Sequence, residues 1–547
     1  FAAHRAGRLE EAQAAYRKVL DLDPEHPDAW HLTGVIHGAR KEHEPAIAAI
    51  RRALAAKPGD PVYLGNLGIA LAGAGRHAEA AEAYREALAG DPSASGIAYN
   101  LGNALTEEYR FEEAVAAYRK AIELRPDYVA AWLNLGNALR EKGAFDDALA
   151  AYGRVLELSP GHAGGLLNLG NLRRELGEPA LARDLLRQAL ETEAANYRAW
   201  NNLGSALREL GDLPGALDAY RRCLEIAPDH AEGRLNLAMA MLAAGDFGNG
   251  WREYEFRWEG AAEAKRHRRR FPMPQWRGEP IAGRSVILHA EQGLGDALQF
   301  VRYAERVARR GARVILECHP PLKRLFDLLP GIERVVAQGE GLPVTDFHCP
   351  LMSLPLAFGT RLETIPAATP YLWADPVLVR RWAERLAGDP RPRVGLVWAG
   401  NPRRSDPGAH LIDRRRSLGI AALAPVLAVP GLRFLSLQKG EGNAGLPAVL
   451  EDPTADLHDF ADTAALVRNL DLVITVDTSV AHLAGGLGVP VWNLSRFDAC
   501  WRWLMDREDS PWYPTMRLLR QPAYGDWPSV IARAAADLAD WRDRLVP

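Results

Sequence analysis

The sequence has few cysteines, no excess of either charge and no long apolar run. Four cysteines are spread over 547 residues without a CxxC pair, which argues against a disulfide framework or a zinc site and fits a reducing compartment. Lysine and arginine total 66 against 70 aspartate and glutamate, a net charge of −4, so the composition does not indicate nucleic-acid binding. No apolar run reaches the roughly 18 residues of a membrane span.

These features predict a cytoplasmic protein with no nucleic-acid partner and no membrane span. The chain begins at Phe1, without Met and in the middle of a pattern, so a preceding segment with a targeting signal could be missing from it. Residues 265–270 (KRHRRR) form the one basic cluster. We predict that this cluster is a solvated linker, with a phosphate or nucleic-acid patch as the alternative.

The first half of the chain repeats with a period of 34 residues, marked by glycine, tyrosine and proline. The markers are Gly34, Gly68, Gly102, Gly136, Gly170, Gly204 and then Ala238; Tyr16, Tyr84, Tyr118, Tyr152, Tyr220 and Tyr254; and Pro24, Pro58, Pro92, Pro126, Pro160 and Pro228. Two helical patterns, such as 130–142 and 145–158, fit into each period. We predict helix pairs in which the small residue permits close approach, the aromatic residue fills the gap between repeats, and proline ends the second helix.

This pattern resembles the tetratricopeptide repeat over residues 1–264. The resemblance implies an all-α superhelix with a concave face that binds a peptide or protein. Four aromatic residues crowd the second helix of the last unit: Trp251, Tyr254, Phe256 and Trp258. We predict that this unit is a cap that docks on the next domain.

An asparagine ladder occupies one position in the first helix of six repeats. Its members are Asn66, Asn100, Asn134, Asn168, Asn202 and Asn236. In the similar arrays of protein O-GlcNAc transferases, an asparagine ladder holds the backbone of the acceptor peptide. The resemblance implies the same role here, since an amide offers both a donor and an acceptor. The alternative is that these side chains only bond neighbouring turns.

Strand and helix patterns alternate after a Pro/Gly-rich connector at 271–283. Strands are predicted at 285–289, 313–318, 334–336, 393–398, 433–437, 472–476 and 491–494, with helices at 296–309, from 321, at 464–469 and at 480–487. Two such series predict two Rossmann-like lobes that face a cleft. The predicted domains are the repeats at 1–264, a linker at 265–283, a first lobe at 284–380 and a second lobe at 381–547.

Residues 475–494 (TVDTSVAHLAGGLGVPVWNL) bring a helix N-terminus to the end of a buried strand. Asp477, Thr478 and Ser479 separate the strand from the helix with short side chains that cap helices well. Such a helix N-terminus binds phosphates through its N–H groups and its positive dipole end. The alternative is an ordinary strand–helix–strand unit that binds nothing.

The turn after the first strand, residues 291–296 (EQGLGD), contains two glycines. Gly293 and Gly295 permit a tight turn and close approach of a ligand to the backbone. Asp296 then either caps the next helix or acts as a general base on an acceptor hydroxyl. Leu298 stands where the dinucleotide fingerprint has its third glycine, so that fingerprint is not matched.

GLGDALQF and VDTSVAHLAGGLGVPVW together resemble motifs of the heptosyltransferase-like (family 9) GT-B glycosyltransferases, over residues 284–520. The resemblance implies that Asp296 is the catalytic base and that Lys439 compensates phosphate charge, with a solvated surface lysine as the alternative. It further implies that residues 477–482 bind the donor diphosphate, although His482 could equally be a satisfied helix histidine. Glycine is usual in the family at the position of Ser479, which puts the local phosphate geometry in doubt.

The predicted donor site also includes residues at strand ends of the second lobe. The full set is Gly293, Gly295, Trp398, Asn401, Gln438, Asp477, Thr478, Ser479 and His482. The aromatic segment 501–513 is predicted to pack the C-terminal helix over the cleft, with stacking on a base or sugar as the alternative.

The layout is similar to that of bacterial protein O-glycosyltransferases. We therefore expect a glycosyltransferase that moves a sugar from a nucleotide-sugar donor to Ser or Thr of a protein held by the repeats. An inverting reaction without a metal or other cofactor is expected, because no DxD motif offers a metal site in the cleft. The alternatives are a non-enzymatic repeat scaffold with a degenerate GT-B domain, and a transferase that acts on lipopolysaccharide.

Overall fold

Residues 2–260, 268–402, 407–440 and 445–545 are described by the structure, a computed structural model. The chain divides into two compact units. The first unit comprises Phe1–Arg174 and Asp184–Ala194, and the second comprises Glu175–Arg183 and Ala195–Pro547. The second unit therefore contains the last repeats together with the whole α/β region.

Residues 2–260 form helices joined by short turns. The helices are α1 Ala2–Arg5, α2 Leu9–Leu22, α3 Pro27–Ala39, α4 His43–Ala56, α5 Pro61–Gly73, α6 His77–Gly90, α7 Ser95–Glu107, α8 Phe111–Leu124, α9 Val129–Glu141, α10 Phe145–Leu158, α11 Ala163–Glu175, α12 Pro179–Thr192, α13 Tyr197–Glu209, α14 Leu213–Ile226, α15 Ala231–Ala243, α16 Phe247–Tyr254 and α17 Arg257–Gly260. The helices predicted at 130–142 and 145–158 correspond to α9 and α10. The all-α repeat region of the predicted fold class is confirmed.

The glycine and tyrosine markers contact each other in the four repeats whose first helix carries Gly68, Gly102, Gly136 or Gly204. A Cβ atom on Gly102 would lie 2.5 Å from Cε1 of Tyr118, and one on Gly136 would lie 2.5 Å from Cε1 of Tyr152. These separations are far below a normal contact of about 3.5–4.0 Å between carbon atoms. Glycine therefore lets the tyrosine ring of the second helix pack directly on the backbone of the first, as the sequence predicts.

The first α/β lobe has four parallel strands in the order β3-β2-β1-β4. They are β1 Ser285–His289, β2 Arg313–Cys318, β3 Ile332–Ala337 and β4 Phe347–Pro350, accompanied by α18 Leu294–Phe300, α19 Ala304–Arg309, α20 Lys323–Phe326 and α21 Leu354–Ala357, with 3-10 turns at Val301–Tyr303, Pro320–Leu322, Leu351–Ser353 and Leu362–Thr364. Every residue of β1 is buried, as expected for a parallel strand that is covered on both faces.

The second lobe has six parallel strands in the order β10-β9-β8-β5-β6-β7. They are β5 Arg393–Val397, β6 Arg433–Ser436, β7 Leu450–Glu451, β8 Leu472–Val476, β9 Val491–Ser495 and β10 Met516–Arg520, with helices α22 Pro376–Leu386, α23 Pro407–Arg416, α24 Ala424–Leu427, α25 Phe460–Val467, α26 Ser479–Gly486 and α27 Trp527–Leu545, and 3-10 turns at Ile420–Leu423, Thr454–Asp456 and Trp501–Trp503. The order reverses between β5 and β8, and doubly wound sheets bind ligands in the crevice at such a point. The predicted α/β region is confirmed.

The connector between the repeats and β1 packs on the first sheet. Trp276 is fully buried, and Gln275 forms a parallel bridge with His348. Within the predicted basic cluster, Arg269 pairs with the buried Glu317, whereas residues 265–267 lie outside the described residues. Arg269 is exposed, as are its neighbours Arg268 and Arg270, so the interpretation of the cluster as a solvated linker stays a prediction.

Aromatic side chains of the last repeat pack against segment 501–513 and α18. The ring centroids of Trp251 and Trp501 are 5.2 Å apart, and those of Trp251 and Phe300 are 6.1 Å apart. The tryptophans of segment 501–513 belong to this core, whereas α27 packs in a separate core on the second sheet. The last repeat thus docks on the α/β region. Segment 501–513 contacts α27 through the ion pair of Glu508 with Arg533, so the prediction that this segment packs the C-terminal helix holds for Glu508 but not for its tryptophans.

Candidate active site

A cleft of about 1500 Å³ lies at the carboxyl ends of the two parallel sheets, within the second compact unit. The turn after β1 lines one side, the segments after β5, β6 and β8 line the other, and the last repeat contributes Leu235, Met239 and Tyr254. The predicted site residues that line the cleft are Gly293, Gly295, Asp296, Asn401, Gln438, Lys439, Asp477, Thr478, Ser479 and His482. The fold therefore brings the two predicted motifs together.

Trp398 does not line the cleft. Its side chain is 1% exposed and lies in the core that α27 shares with the second sheet. Only its backbone is tied to the site, because its N–H donates to Oε1 of Gln438 at 3.2 Å, as does the N–H of Ala399 at 2.9 Å. The prediction that Trp398 binds the donor is wrong for its indole ring. Gln438, itself 5% exposed, joins the ends of β5 and β6.

Gly295 sets the contact between the two lobes. A Cβ atom on this residue would lie 2.9 Å from Cδ2 of His482 and 3.5 Å from Cα of Ser479. A side chain at this position would therefore separate α18 from α26. Gly293 differs, because its φ of −67° and ψ of 167° are accessible to any residue, so this turn does not require the conformational freedom of glycine.

The carboxylate of Asp296 is bonded from both lobes. Its Oδ2 accepts the backbone N–H of Gly293 at 3.0 Å, as the third residue of a helix does in a capping box. Its Oδ1 accepts a hydrogen bond from Nη2 of Arg502, and the side chain remains 22% exposed. Asp296 therefore caps the helix from its third position and not as the N-cap, which is Gly293, and the general-base role stays a prediction.

Arg502 joins the site from the segment after β9, and no sequence motif indicates it. Besides Asp296, its guanidinium donates through Nε to Oε1 of Gln299 at 2.7 Å and through Nη1 to Sγ of Cys500 at 3.0 Å. Burial opposes the charge of Arg502, but Cys500 and Asp296 outweigh burial and raise its pKa. A permanent positive charge therefore lies beside the candidate base.

A buried ion pair connects the last repeat to the turn that carries Asp296. Arg257 donates through Nε to Oε1 of Glu291 at 2.9 Å and through Nη2 to Oε2 at 3.0 Å, and the two side chains are 1% and 3% exposed. Arg257 also donates to Oγ of Ser353 at 2.8 Å. Because bidentate pairs fix geometry, the last repeat fixes the position of the turn that carries Asp296. Sequence reasoning missed both partners.

The N-terminus of α26 faces the cleft. Thr478 is its N-cap but makes no side-chain capping bond; its Oγ1 lies 3.0 Å from Oγ1 of Thr475. Arg416, which lines the cleft, donates through Nη1 to the carbonyl of Asp477 at 3.1 Å. Ser479 begins the helix without a positive φ, so its backbone needs no glycine. A helix dipole and a guanidinium together suit an anion.

Lys439 is exposed at the end of β6. Its Nζ donates to the backbone carbonyl of Leu457, and the residue lines the cleft. A carbonyl oxygen carries no formal charge, so this contact leaves the charge of the ammonium uncompensated. The phosphate-binding role of Lys439 stays a prediction.

His482 is a buried neutral histidine. Its Nδ1 is 2.8 Å from the hydroxyl of Tyr513, and its ring stacks on Trp503 with centroids 5.4 Å apart. Burial, together with Arg502 and Arg302, lowers the pKa of His482 well below its ordinary value. The interpretation of His482 as a helix histidine whose ring is hydrogen-bonded within the fold therefore fits. His482 offers the cleft no positive charge near neutral pH.

The asparagine ladder is hydrogen-bonded between repeats. In the first unit, Nδ2 of Asn134 donates to Oδ1 of Asn103 at 2.9 Å, and Nδ2 of Asn168 donates to Oδ1 of Asn137 at 2.8 Å. Asn66 lies 2.8 Å from Nε2 of His31 through its Nδ2.

In the second unit, Asn236 donates to Oδ1 of Asn201 at 2.9 Å, and Asn202 occupies the ladder position of α13. All six ladder side chains, Asn100 included, are partly buried. Four ladder residues therefore bond neighbouring repeats through their amide nitrogens, namely Asn66, Asn134, Asn168 and Asn236. These bonds do not use the amide oxygens, so peptide binding stays a prediction.

Comparison with known families identifies the helical region. Models described as tetratricopeptide repeat match residues 2–61 and 167–231, 129–162 and 62–90, and one described as TPR repeat matches 102–139. The chain contains tetratricopeptide repeats. Protein FlbA of Caulobacter vibrioides is 28% identical over 331 residues, which cover 54% of this chain and 52% of FlbA. The chain thus spans about half the length of this relative.

Solved structures are also similar to parts of the chain. PilF of Pseudomonas aeruginosa has 22% identity and a TM-score of 0.34, covering 39% of this chain and 96% of PilF. YrrB, described as a TPR protein with an unusual peptide-binding site, has 22% identity and a TM-score of 0.29, covering 33% of this chain and 94% of YrrB. Within the described ranges, no helix has the length and apolar character needed to cross a membrane.

Proposed function

We propose that this chain is a glycosyltransferase that moves a sugar from a nucleotide-sugar donor to Ser or Thr of a protein bound by its tetratricopeptide repeats. The observation that carries the proposal is the cleft at the reversal point of a doubly wound sheet, where two separately recognised motifs meet. Its volume of about 1500 Å³ exceeds the typical range of about 300–1,000 Å³ for a small-molecule site. There is room for a donor and part of an acceptor.

The donor diphosphate binds at the N-terminus of α26. Arg416 and Lys439 line the same part of the cleft. When the bond between the sugar and the diphosphate breaks, negative charge develops on the leaving oxygen. The helix dipole and the two cations stabilise this charge more strongly in the transition state than in the bound donor.

The acceptor hydroxyl approaches from the side of Asp296. Its oxygen forms a bond to the anomeric carbon as the nucleoside diphosphate leaves from the opposite face, and its proton passes to the Asp296 carboxylate. The configuration at the anomeric carbon is inverted. Every role in this scheme is filled by a protein side chain or a helix terminus.

One observation favours a non-enzymatic scaffold as a second candidate. Both oxygens of Asp296 already accept hydrogen bonds, from Gly293 and Arg502. A carboxylate that serves only to hold the two lobes together would show the same contacts. The two candidates differ in whether the cleft binds a nucleotide.

Calorimetric titration of the full chain with UDP, GDP, ADP and dTDP tests the donor site. We expect one of these diphosphates to bind, and Arg416→Gln to weaken its binding. Arg533→Gln, an exposed arginine on α27 that pairs with Glu508, is the matched control and should bind as the unmodified chain does. If no diphosphate binds, the hypothesis of a non-enzymatic scaffold is correct.

Labelled-sugar incorporation in whole lysate, followed by mass spectrometry of the labelled band, tests the acceptor. Deletion of residues 1–160 removes part of the first unit only and keeps α11 and α12 to cover the array. We expect the shortened chain to bind the diphosphate but to label no polypeptide. Label that appears only in lipid extracts would instead support the lipopolysaccharide alternative. Equal polypeptide labelling by both chains would show that the deleted repeats do not bind the acceptor.

A further inference from the structure

A second cavity, here called the side pocket, adjoins the cleft on the side of the last repeats. Its volume is about 270 Å³. Its lining includes Arg208, Met239, Ala243, Arg496, Asp498 and Arg502. Five of its lining residues, including Tyr254 and Arg502, also line the cleft, so the two spaces are continuous beside the partner of Asp296. The volume lies below that of a typical ligand site, and it suits one or two side chains better than a nucleotide.

The side pocket carries more positive than negative charge. Three arginines line it against one carboxylate, Asp498. The charge of Arg502 is balanced by Asp296. Nε of Arg496 lies 3.6 Å from Oδ1 of Asp498, and these side chains are 18% and 5% exposed.

Neither of these two ion pairs balances the positive charge of Arg208. The carboxylates of Asp498 and Glu209 both attract the guanidinium of Arg208. Glu209 also pairs with Arg415, with 3.3 Å between Oε1 and Nη1. Arg520 interacts with Asp498 and Asp506 as well, so among these described residues five guanidinium groups face four carboxylates. An additional anion would be attracted to the side pocket, since partly buried charges are screened less than exposed ones.

The asparagine ladder leads to the side pocket along α15. Asn236, Met239 and Ala243 are spaced i, i+3 and i+7 on this helix, so they lie on one face. The helix advances about 10 Å between the first and the last of them, a distance that about three residues of extended peptide cover. A peptide that contacts the ladder at Asn236 therefore places a nearby side chain in the side pocket.

We propose that the side pocket binds an acidic side chain of the acceptor peptide, within a few residues of the modified hydroxyl. That the peptide is an acceptor rests on the proposed function, whereas the preference for a carboxylate follows from Arg208 and Arg496. The pocket would thus select among the many serines and threonines that could reach the cleft.

Fluorescence anisotropy with the full chain tests this proposal. The probes are labelled peptides of equal length in which a central serine is flanked by glutamate, glutamine or lysine. We expect the glutamate peptide to bind at least about tenfold more tightly than the lysine peptide at low salt, with the difference shrinking as the ionic strength rises. Equal binding of the three peptides, or no binding of any, would overturn the proposal.

Variants of the pocket identify the groups responsible. Arg208→Gln and Arg496→Gln should each reduce the preference for glutamate, whereas Arg208→Lys should keep most of it. Asp498→Asn should strengthen binding of the glutamate peptide, and this gain keeps the test valid if Arg496→Gln misfolds. The matched control is Arg221→Gln, an exposed arginine of α14 that pairs with Asp218.

If Arg208→Gln and Arg496→Gln both keep the full preference for the glutamate peptide, the proposal is overturned. Titration of the same proteins with nucleoside diphosphates separates the two hypotheses. If no diphosphate binds but the glutamate preference appears and is lost in the variants, the transferase is wrong and the side pocket stands as a site for acidic peptides.

Discussion

Asp296 accepts hydrogen bonds from the backbone of its own turn and from an arginine of the opposite lobe. We expect Asp296→Asn to lower the transfer rate by about 10²–10⁴, the usual loss for a general base. Diphosphate binding should stay nearly unchanged, because asparagine keeps an oxygen for the N–H of Gly293. Single-turnover kinetics and calorimetry measure the two quantities. Asp327→Asn, an exposed carboxylate paired with Lys323, is the control, and near-normal turnover of Asp296→Asn would leave Asp296 as a cap only.

Lys439 brings a positive charge to the cleft, and its Nζ donates to the neutral backbone carbonyl of Leu457. We expect Lys439→Ala to weaken diphosphate binding and slow transfer together, because a hydrogen bond to a charged group contributes about 1.5–3 kcal/mol. This corresponds to about a 10- to 100-fold change in Kd. Lys323→Ala serves as the comparison on the first lobe. A diphosphate Kd and a rate that both equal those of the unmodified chain would remove Lys439 from the site.

Sequence motifs located most of the cleft but not its charge pairs. Asp296 and residues 477–479 could be found because each lies in the strand-to-helix connection after a buried strand or in the first turn of the helix that follows, and strand ends meet at one edge of a parallel sheet. Arg502 pairs with a residue 206 positions away, and no local pattern encodes such a contact. Trp398 also follows a strand, yet side chains alternate between the faces of a sheet, and its side chain enters the core.

Among the helices, α18 and α26 meet at Gly295. We expect Gly295→Ala to force these helices apart, because the added Cβ would lie 2.9 Å from the buried ring of His482. Overpacking of this kind costs about 1–3 kcal/mol, and the diphosphate site should weaken with it. Gly293→Ala is the matched control, since its Cβ would meet only Oδ2 of Asp296 at 3.3 Å. Thermal unfolding and calorimetry of both variants check this, and equal effects would contradict it.

Buried apolar runs predicted the long strands well. β1, β2 and β8 have the bounds that the sequence predicts, because a strand covered on both faces needs an uninterrupted apolar run. β4, β7 and β10 were not predicted. β7 has only two residues, β4 reads FHCP, and β10 has arginines within it, so none of them shows that pattern.

Across the α/β region, buried histidines couple the stability of the whole protein to pH. Burial lowers the pKa of both His289 and His482 well below the ordinary value, so both are neutral in the fold and take up protons on unfolding below about pH 6.5. Their contribution to stability is therefore complete above about pH 6.5 and is lost as the pH falls. Two such groups change the free energy of unfolding by up to about 2.7 kcal/mol per pH unit.

Thermal unfolding across this pH range measures the effect. The variant carrying His289→Gln and His482→Gln should show a shallower fall in the free energy of unfolding than the unmodified chain, whatever its absolute stability. Carboxylates contribute equally to both proteins and so do not obscure the comparison. Identical slopes would mean that these histidines are not the source of the pH dependence.

The boundary between the compact units lies within the helical array, and the last repeats belong to the unit that contains the cleft. Arg257 and the aromatic rings around Trp251 make this part of the array inseparable from the α/β lobes. The residues that line the cleft all lie at or beyond Leu235. If the repeats bind the acceptor as we propose, recombination or loss of repeats within residues 1–160 would leave this lining intact, so related chains would differ in the protein that they recognise while sharing one cleft.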